Sequence, residues 1–171
     1  MDSLLPQLAE LPAIWVYLIA AALITCETAL LPGIVLPTLS TLLLVGFLAE
    51  RGTVNLWLAL AVAAGAAVLG DQLGYLEGRR FGPALRATSA GRRVGPDRWR
   101  RLDARLNRYG VPAVMAGRWL AGVRTLVPRL AGAAAMPRVR FTAGSAAAAL
   151  VWAGAELLAG HAAASLTGAM S

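Results

Sequence analysis

The chain has 171 residues, 58% of them apolar and only 15% charged, with a formal net charge of +7 carried by sixteen Arg and no Lys. Soluble domains are roughly 45–50% apolar and about 25% charged, so this balance excludes an ordinary soluble enzyme and a disordered chain. One cysteine, Cys26, excludes an internal disulfide and a multi-cysteine metal site.

The length fits a single membrane domain, 1–171, with a handful of spans of about 20 residues and one sizeable loop. A basic balance in a soluble chain would point to nucleic acid. In a chain this apolar it reads as topology and lipid contact, so no nucleic-acid partner is expected. The N-terminus lacks the basic start of a secretory signal, since no Arg precedes Arg51. The first apolar stretch, Leu11 to Leu31 with Glu27 inside it, therefore reads as a retained helix.

The run Leu31-Pro32-Gly33-Ile34-Val35-Leu36-Pro37 breaks the next stretch. Prolines at membrane depth interrupt a helix, and broken backbone there must be buried or line a wet cavity. Residues 32–49 thus read as a re-entrant hairpin, with Gly46 in its apolar arm. Glu50-Arg51-Gly52 is a polar turn. Val54 to Tyr75 is the cleanest span, rich in the small residues that allow close helix packing.

The region 78–110 holds ten of the sixteen arginines. It reads as a loop, cytoplasmic by the positive-inside rule. Within it, Trp99 to Tyr109 reads as a basic interfacial helix with Trp99, Leu102 and Leu106 on one face. The stretch 112–136 is apolar yet carries Arg118, Arg124 and Arg129. Three central arginines cost on the order of 8–10 kcal/mol on an insertion scale. Gly122, Pro128 and Gly132 punctuate the stretch, so it reads as a second re-entrant element with its arginines turned inward. Arg129 is expected to snorkel toward the interface. Phe141 to Thr167 makes a last span, with Trp152, Glu156 and His161. The echo between Leu31-Pro32-Gly33-Ile34 and Leu120-Ala121-Gly122-Val123 suggests a pseudo-inverted repeat. The expected fold is an all-α membrane protein of spanning helices and two re-entrant hairpins.

Three stretches together resemble the DedA family, also called the VTT or SNARE-associated family. Gly70-Asp71-Gln72-Leu73-Gly74-Tyr75-Leu76-Glu77-Gly78-Arg79-Arg80-Phe81-Gly82 is similar to its GD..GY..GR..G signature. Arg118-Trp119-Leu120-Ala121-Gly122-Val123-Arg124-Thr125, continuing through Pro128, Gly132 and Met136 to Phe141, is similar to its R..PG.RT..P..AG...M....F. Glu27-Thr28-Ala29-Leu30 and the proline-bearing run to Gly46 complete the match. The resemblance implies a lipid transporter, with undecaprenyl phosphate or phospholipid as substrate and no cofactor. It maps the family's essential groups to Glu27, Asp71, Arg118 and Arg124. Two positions depart from the pattern: Leu39 stands where the family carries an acid, and Ala121 where it carries proline.

The chemistry can be argued without the resemblance. Arg presents a charged planar fork that binds phosphate oxygens bidentately. Arg118 and Arg124 are six residues apart, about 600° around a straight helix. They converge only if the backbone turns between them, which Gly122 permits. Glu27 and Asp71 are the expected counter-ions, and burial raises carboxylate pKa values so that they can couple transport to protons. A small-cation exporter and a non-transporting assembly factor are the competing functions. An enzyme is not expected, because there is one His and no GxSxG. Small-residue faces on 54–75 and 141–158 can pack within the chain or between chains, which leaves a homo-oligomer open.

Overall fold

A computed structural model describes residues 12–29, 38–118 and 124–168; the side chains of residues 85, 90, 91, 105–107, 113, 117 and 118 lie outside that description. Among the described residues there are seven helices and no strand. They are α1 (Ala13–Ala29), α2 (Thr38–Glu50), α3 (Leu56–Ala87), α4 (Ser89–Val94), α5 (Pro96–Arg118), α6 (Leu126–Ala133) and α7 (Arg138–Gly168). The chain is an all-α membrane protein.

Two helices are long and apolar enough to cross a bilayer, over Leu56–Ala84 and Arg138–Thr167. At 29 and 30 residues each rises about 45 Å, well beyond a hydrocarbon core of about 30 Å. Helices α1 and α2 are apolar but short, with 17 and 13 residues. Helix α3 is the mast of the fold. It packs against α1, α6 and α7, while α2 and α5 pack against α7.

Glycines set these contacts. Gly70, Gly74, Gly78 and Gly82 recur every four residues and so line one face of α3. A Cβ at Gly70 would strike the Thr28 side chain of α1, and one at Gly78 the Arg129 carbonyl of α6. In return, a Cβ at Gly132 of α6 would strike the Tyr75 carbonyl of α3. The same reciprocal crossing joins α2 to α7. A Cβ at Gly46 would meet the Leu157 carbonyl, and one at Gly160 the Leu43 carbonyl. Backbones approach this closely only where the residue at the contact lacks a side chain.

Two clusters of buried side chains result. Ile24, Leu42, Ala67, Ala153 and Leu157 belong to the larger one, among α1, α2, α3 and α7. The smaller one gathers Tyr75, Val114, Ala131, Met136 and Phe141. Tyr75 stacks on Phe141 with ring centroids 4.8 Å apart, and its hydroxyl donates to the Met136 carbonyl at 2.6 Å. The tyrosine thereby ties down the turn that leaves α6, where Ala135 takes a positive φ of 52°.

The structure departs from the sequence expectations in two places. The span expected to end near Tyr75 continues as helix to Ala87, so residues 79–87 are helical and not loop. The cause is α6, which packs along Gly74, Gly78 and Gly82 and gives that part of α3 a buried face. The interfacial helix expected to end at Tyr109 runs on to Arg118. It bends at Tyr109 (φ −112°, ψ 23°), next to Gly110, whose Cβ position is filled by the Met136 side chain. Within the 112–136 stretch, residues 119–123 lie outside the described residues. Pro32, Gly33, Pro37 and Gly122 lie outside the described residues.

The crossings predict how single methyl groups act. Gly78→Ala should destabilise the protein by about 1–3 kcal/mol through overpacking. Gly65→Ala, on the same helix with no atom within 4 Å of the new Cβ, should be neutral or slightly stabilising. Thermal unfolding of both variants in detergent checks this.

Candidate functional site

The site forms where α1 ends, α2 begins and the chain turns into α6. Glu27 sits in the last turn of α1 and is only 3% exposed. A carboxylate so deeply buried is tolerated only when paired and hydrogen-bonded. Arg124, in the turn before α6, makes the ion pair. Thr38, the first residue of α2, donates its hydroxyl to Glu27. Arg124 Nη2 in turn donates to Thr38 Oγ1 at 3.4 Å. Three separate chain segments thus meet on one carboxylate. The Arg124 guanidinium also lies 6.0 Å from the centroid of the Trp152 ring of α7. Glu156, one turn further along α7, attracts it electrostatically.

Arg129 is clamped between elements. Its Nε donates to Glu77 of α3 at 2.9 Å. Its Nη1 donates to the Thr125 carbonyl at 2.5 Å, and its Nη2 to the Ala29 carbonyl at 2.6 Å. Ala29 is the last described residue of α1, so this bond ties α6 to α1. The side chain is 12% exposed. Snorkelling toward water, the sequence expectation, is therefore wrong for Arg129, because fixed acceptors on α1 and α3 surround it.

A third arginine holds the far end of α6. Arg86 of α3 makes a two-pronged bond to Asp103 of α5, at 3.0 and 2.7 Å, and donates to the Ala133 carbonyl at 3.1 Å. Its guanidinium lies 5.0 Å from the Trp99 ring centroid. Helix α6 has only eight residues and would be marginal alone. Here arginines fix its start, middle and end.

Of the residues singled out from sequence, Glu27 and Arg124 are brought into direct contact. Asp71 is buried at 4% exposure and accepts a 2.6 Å hydrogen bond from Ser145 of α7. The Arg118 backbone closes α5, and its side chain is outside the described residues. Arg79 is exposed, whereas Pro128 is buried against Gly74. Leu39 is exposed at 54% on α2. His161 and Glu50 approach to 2.7 Å between α7 and the end of α2. Sequence reasoning missed Thr38, Glu77 and the pairing of Trp152 with Arg124. Of these only Glu77 had a local signal, an acid inside the glycine-spaced signature.

The family match adds to this geometry. The VTT domain matches residues 36–162, which takes in α2 through most of α7. The chain belongs to the VTT-domain, or DedA, family. The inner membrane protein YghB of Escherichia coli is 34% identical over 137 residues, covering 80% of this chain and 63% of YghB. A membrane protein of Mycobacterium tuberculosis is 36% identical over 153 residues, covering 86% of this chain and 68% of that protein. The Escherichia coli inner membrane protein YqjA is 29% identical over 136 residues, covering 80% of this chain and 62% of YqjA. The chain thus spans somewhat under two thirds of the length of YghB and YqjA. No solved structure is significantly similar to it. Glu27 lies ahead of the matched VTT segment, so the ion pair joins that segment to the helix before it.

Removing one partner of a buried pair costs about 3–5 kcal/mol, because the other charge is left uncompensated. Arg124→Gln should show a loss of that order in detergent unfolding. The double variant Glu27→Gln/Arg124→Gln should be more stable than Arg124→Gln alone. Additive losses would show that the two groups do not depend on each other.

Proposed function

We propose that this protein translocates an anionic lipid, undecaprenyl phosphate or a phospholipid, across the plasma membrane. The observation that carries the reading is the Glu27–Arg124 pair, a buried charge pair made where three chain segments end or turn. Ionisable groups at membrane depth are expensive and usually mark a substrate or ion path. Arg124 offers a fixed cation with a bidentate fork, the shape that phosphate oxygens take best.

In this mechanism Glu27 and the lipid phosphate compete for one guanidinium. While Glu27 is ionised it holds Arg124. Protonation of Glu27 releases the arginine to the phosphate, and Thr38 keeps a hydroxyl at the same place. Arg118, which closes α5 six residues before Arg124, is the second phosphate ligand. Asp71, buried beside Ser145, is a further titratable group for the coupling. No bond is made or broken in the lipid, so the protein is a carrier and not an enzyme.

The topology belongs to the same proposal. Residues 32–49 and 112–136 enter and leave the membrane from opposite faces as a pseudo-inverted repeat. The reciprocal crossings of Gly46 with α7 and of Gly132 with α3 support this reading, because each short helix docks on a long span in the same way. The arginine-rich segment 78–110 faces the cytoplasm by the positive-inside rule.

Proteoliposomes carrying a fluorescent undecaprenyl phosphate analogue test the proposal. Wild-type protein should flip the lipid. Arg124→Ala should slow flipping by about tenfold or more, the loss expected for a charge-assisted hydrogen bond. Glu27→Gln should keep the fold and abolish the pH dependence. Wild-type protein inactive on this lipid and on ordinary phospholipids would overturn the reading.

A further inference from the structure

Two carboxylates act on Arg124. Glu27 of α1 pairs with it directly. On the α7 side its guanidinium faces Trp152 at 6.0 Å. Residues four apart share a helix face, so Glu156 projects from the same side of α7 as Trp152. Glu156 is half-buried and attracts Arg124 electrostatically. The acids on the helices packed against α7 have partners of their own, Asp97 and Asp103 of α5 in Arg100 and Arg86. Glu50 of α2 meets His161, Asp71 of α3 meets Ser145, and Glu77 of α3 holds Arg129.

We propose that Glu156 is a second acceptor for Arg124, holding the arginine on α7 when Glu27 is protonated. The proposal deepens the transport reading above and rests on it for its role in the cycle. Two ionised carboxylates around one guanidinium leave a net negative charge in surroundings of low dielectric. Such a cluster favours taking up one proton from water, as like charges in a shared site do. Glu27 is the more buried of the two acids and so has more to gain from neutrality. When it binds the proton, Arg124 keeps a counter-charge in Glu156 and a cation–π contact in Trp152. The Glu27 and Thr38 side of the guanidinium is then open to a phosphate monoester. Without Glu156, protonating Glu27 would strand the arginine, and the two states would lie further apart in energy.

An unfolding cycle in detergent tests this without any lipid phosphate, so its outcome is separate from that of the transport assay. In the Glu27→Gln background, Glu156→Gln should raise the unfolding equilibrium constant about fivefold or more, within the range seen for contacting groups. In the Arg124→Gln background, the same Glu156→Gln change should shift it by less than about twofold. Equal effects in the two backgrounds overturn the proposal. Should Arg124→Gln protein not fold, Glu156→Asp in the Glu27→Gln background decides. An acceptor role requires Asp to retain more stability than Gln, and the reverse order overturns it. In proteoliposomes that flip lipid, Glu156→Gln should also shift the pH profile of flipping. An unchanged profile would leave Glu156 outside the cycle and overturn its role there.

Discussion

A buried carboxylate must have a partner, and the Glu27–Arg124 contact meets that demand. The pair joins residues nearly a hundred positions apart and fixes the end of α1 against the turn into α6. Thr38 adds the start of α2 to the same point. A carboxylate 3% exposed is stable only with a cation beside it. The site is therefore also a structural joint, and any ligand that takes one partner must compensate the other.

The rest of the architecture brings that joint about. Helix α6 is too short to be stable alone. It lies in a trough on α3 made by glycines every fourth residue. Its carbonyls and side chains are then held by Arg129, bridging to Glu77 and Ala29, and by Arg86, bridging to Asp103. Tyr75 and Phe141 close the exit of the segment. These residues divide by task. Gly70, Gly74, Gly78, Gly82, Tyr75, Gly132 and Phe141 shape and hold the packing, and Arg124 with Glu27 carries the charge.

Much of this was legible in the sequence. The two long spans follow from hydropathy, and the small residues of 54–75 already implied a closely packed helix. Glu27 and Arg124 stood out because charge in an apolar run demands a partner. What failed was local reasoning about distant partners. Arg129 looked like a snorkelling residue because nothing near it in sequence is acidic, and the acceptors on α3 and α1 that hold it are 52 and 100 positions away. The continuation of α3 past Tyr75 was hidden because residues 79–87 are basic, yet their glycine face is covered by α6. The relation of Trp152 and Glu156 to Arg124 had no sequence signal, since it depends on how α7 is rotated against the turn.

The exchange of Glu27 for a phosphate on Arg124 is most directly tested by difference infrared spectroscopy on the reconstituted protein. A lipid phosphate would be added at fixed pH and the carboxyl bands followed. If Arg124 changes partner, binding converts one carboxylate into a protonated carboxyl, and the signal disappears in Glu27→Gln. Phosphate binding that leaves the carboxyl bands unchanged, or gives the same difference spectrum in Glu27→Gln, would contradict the account.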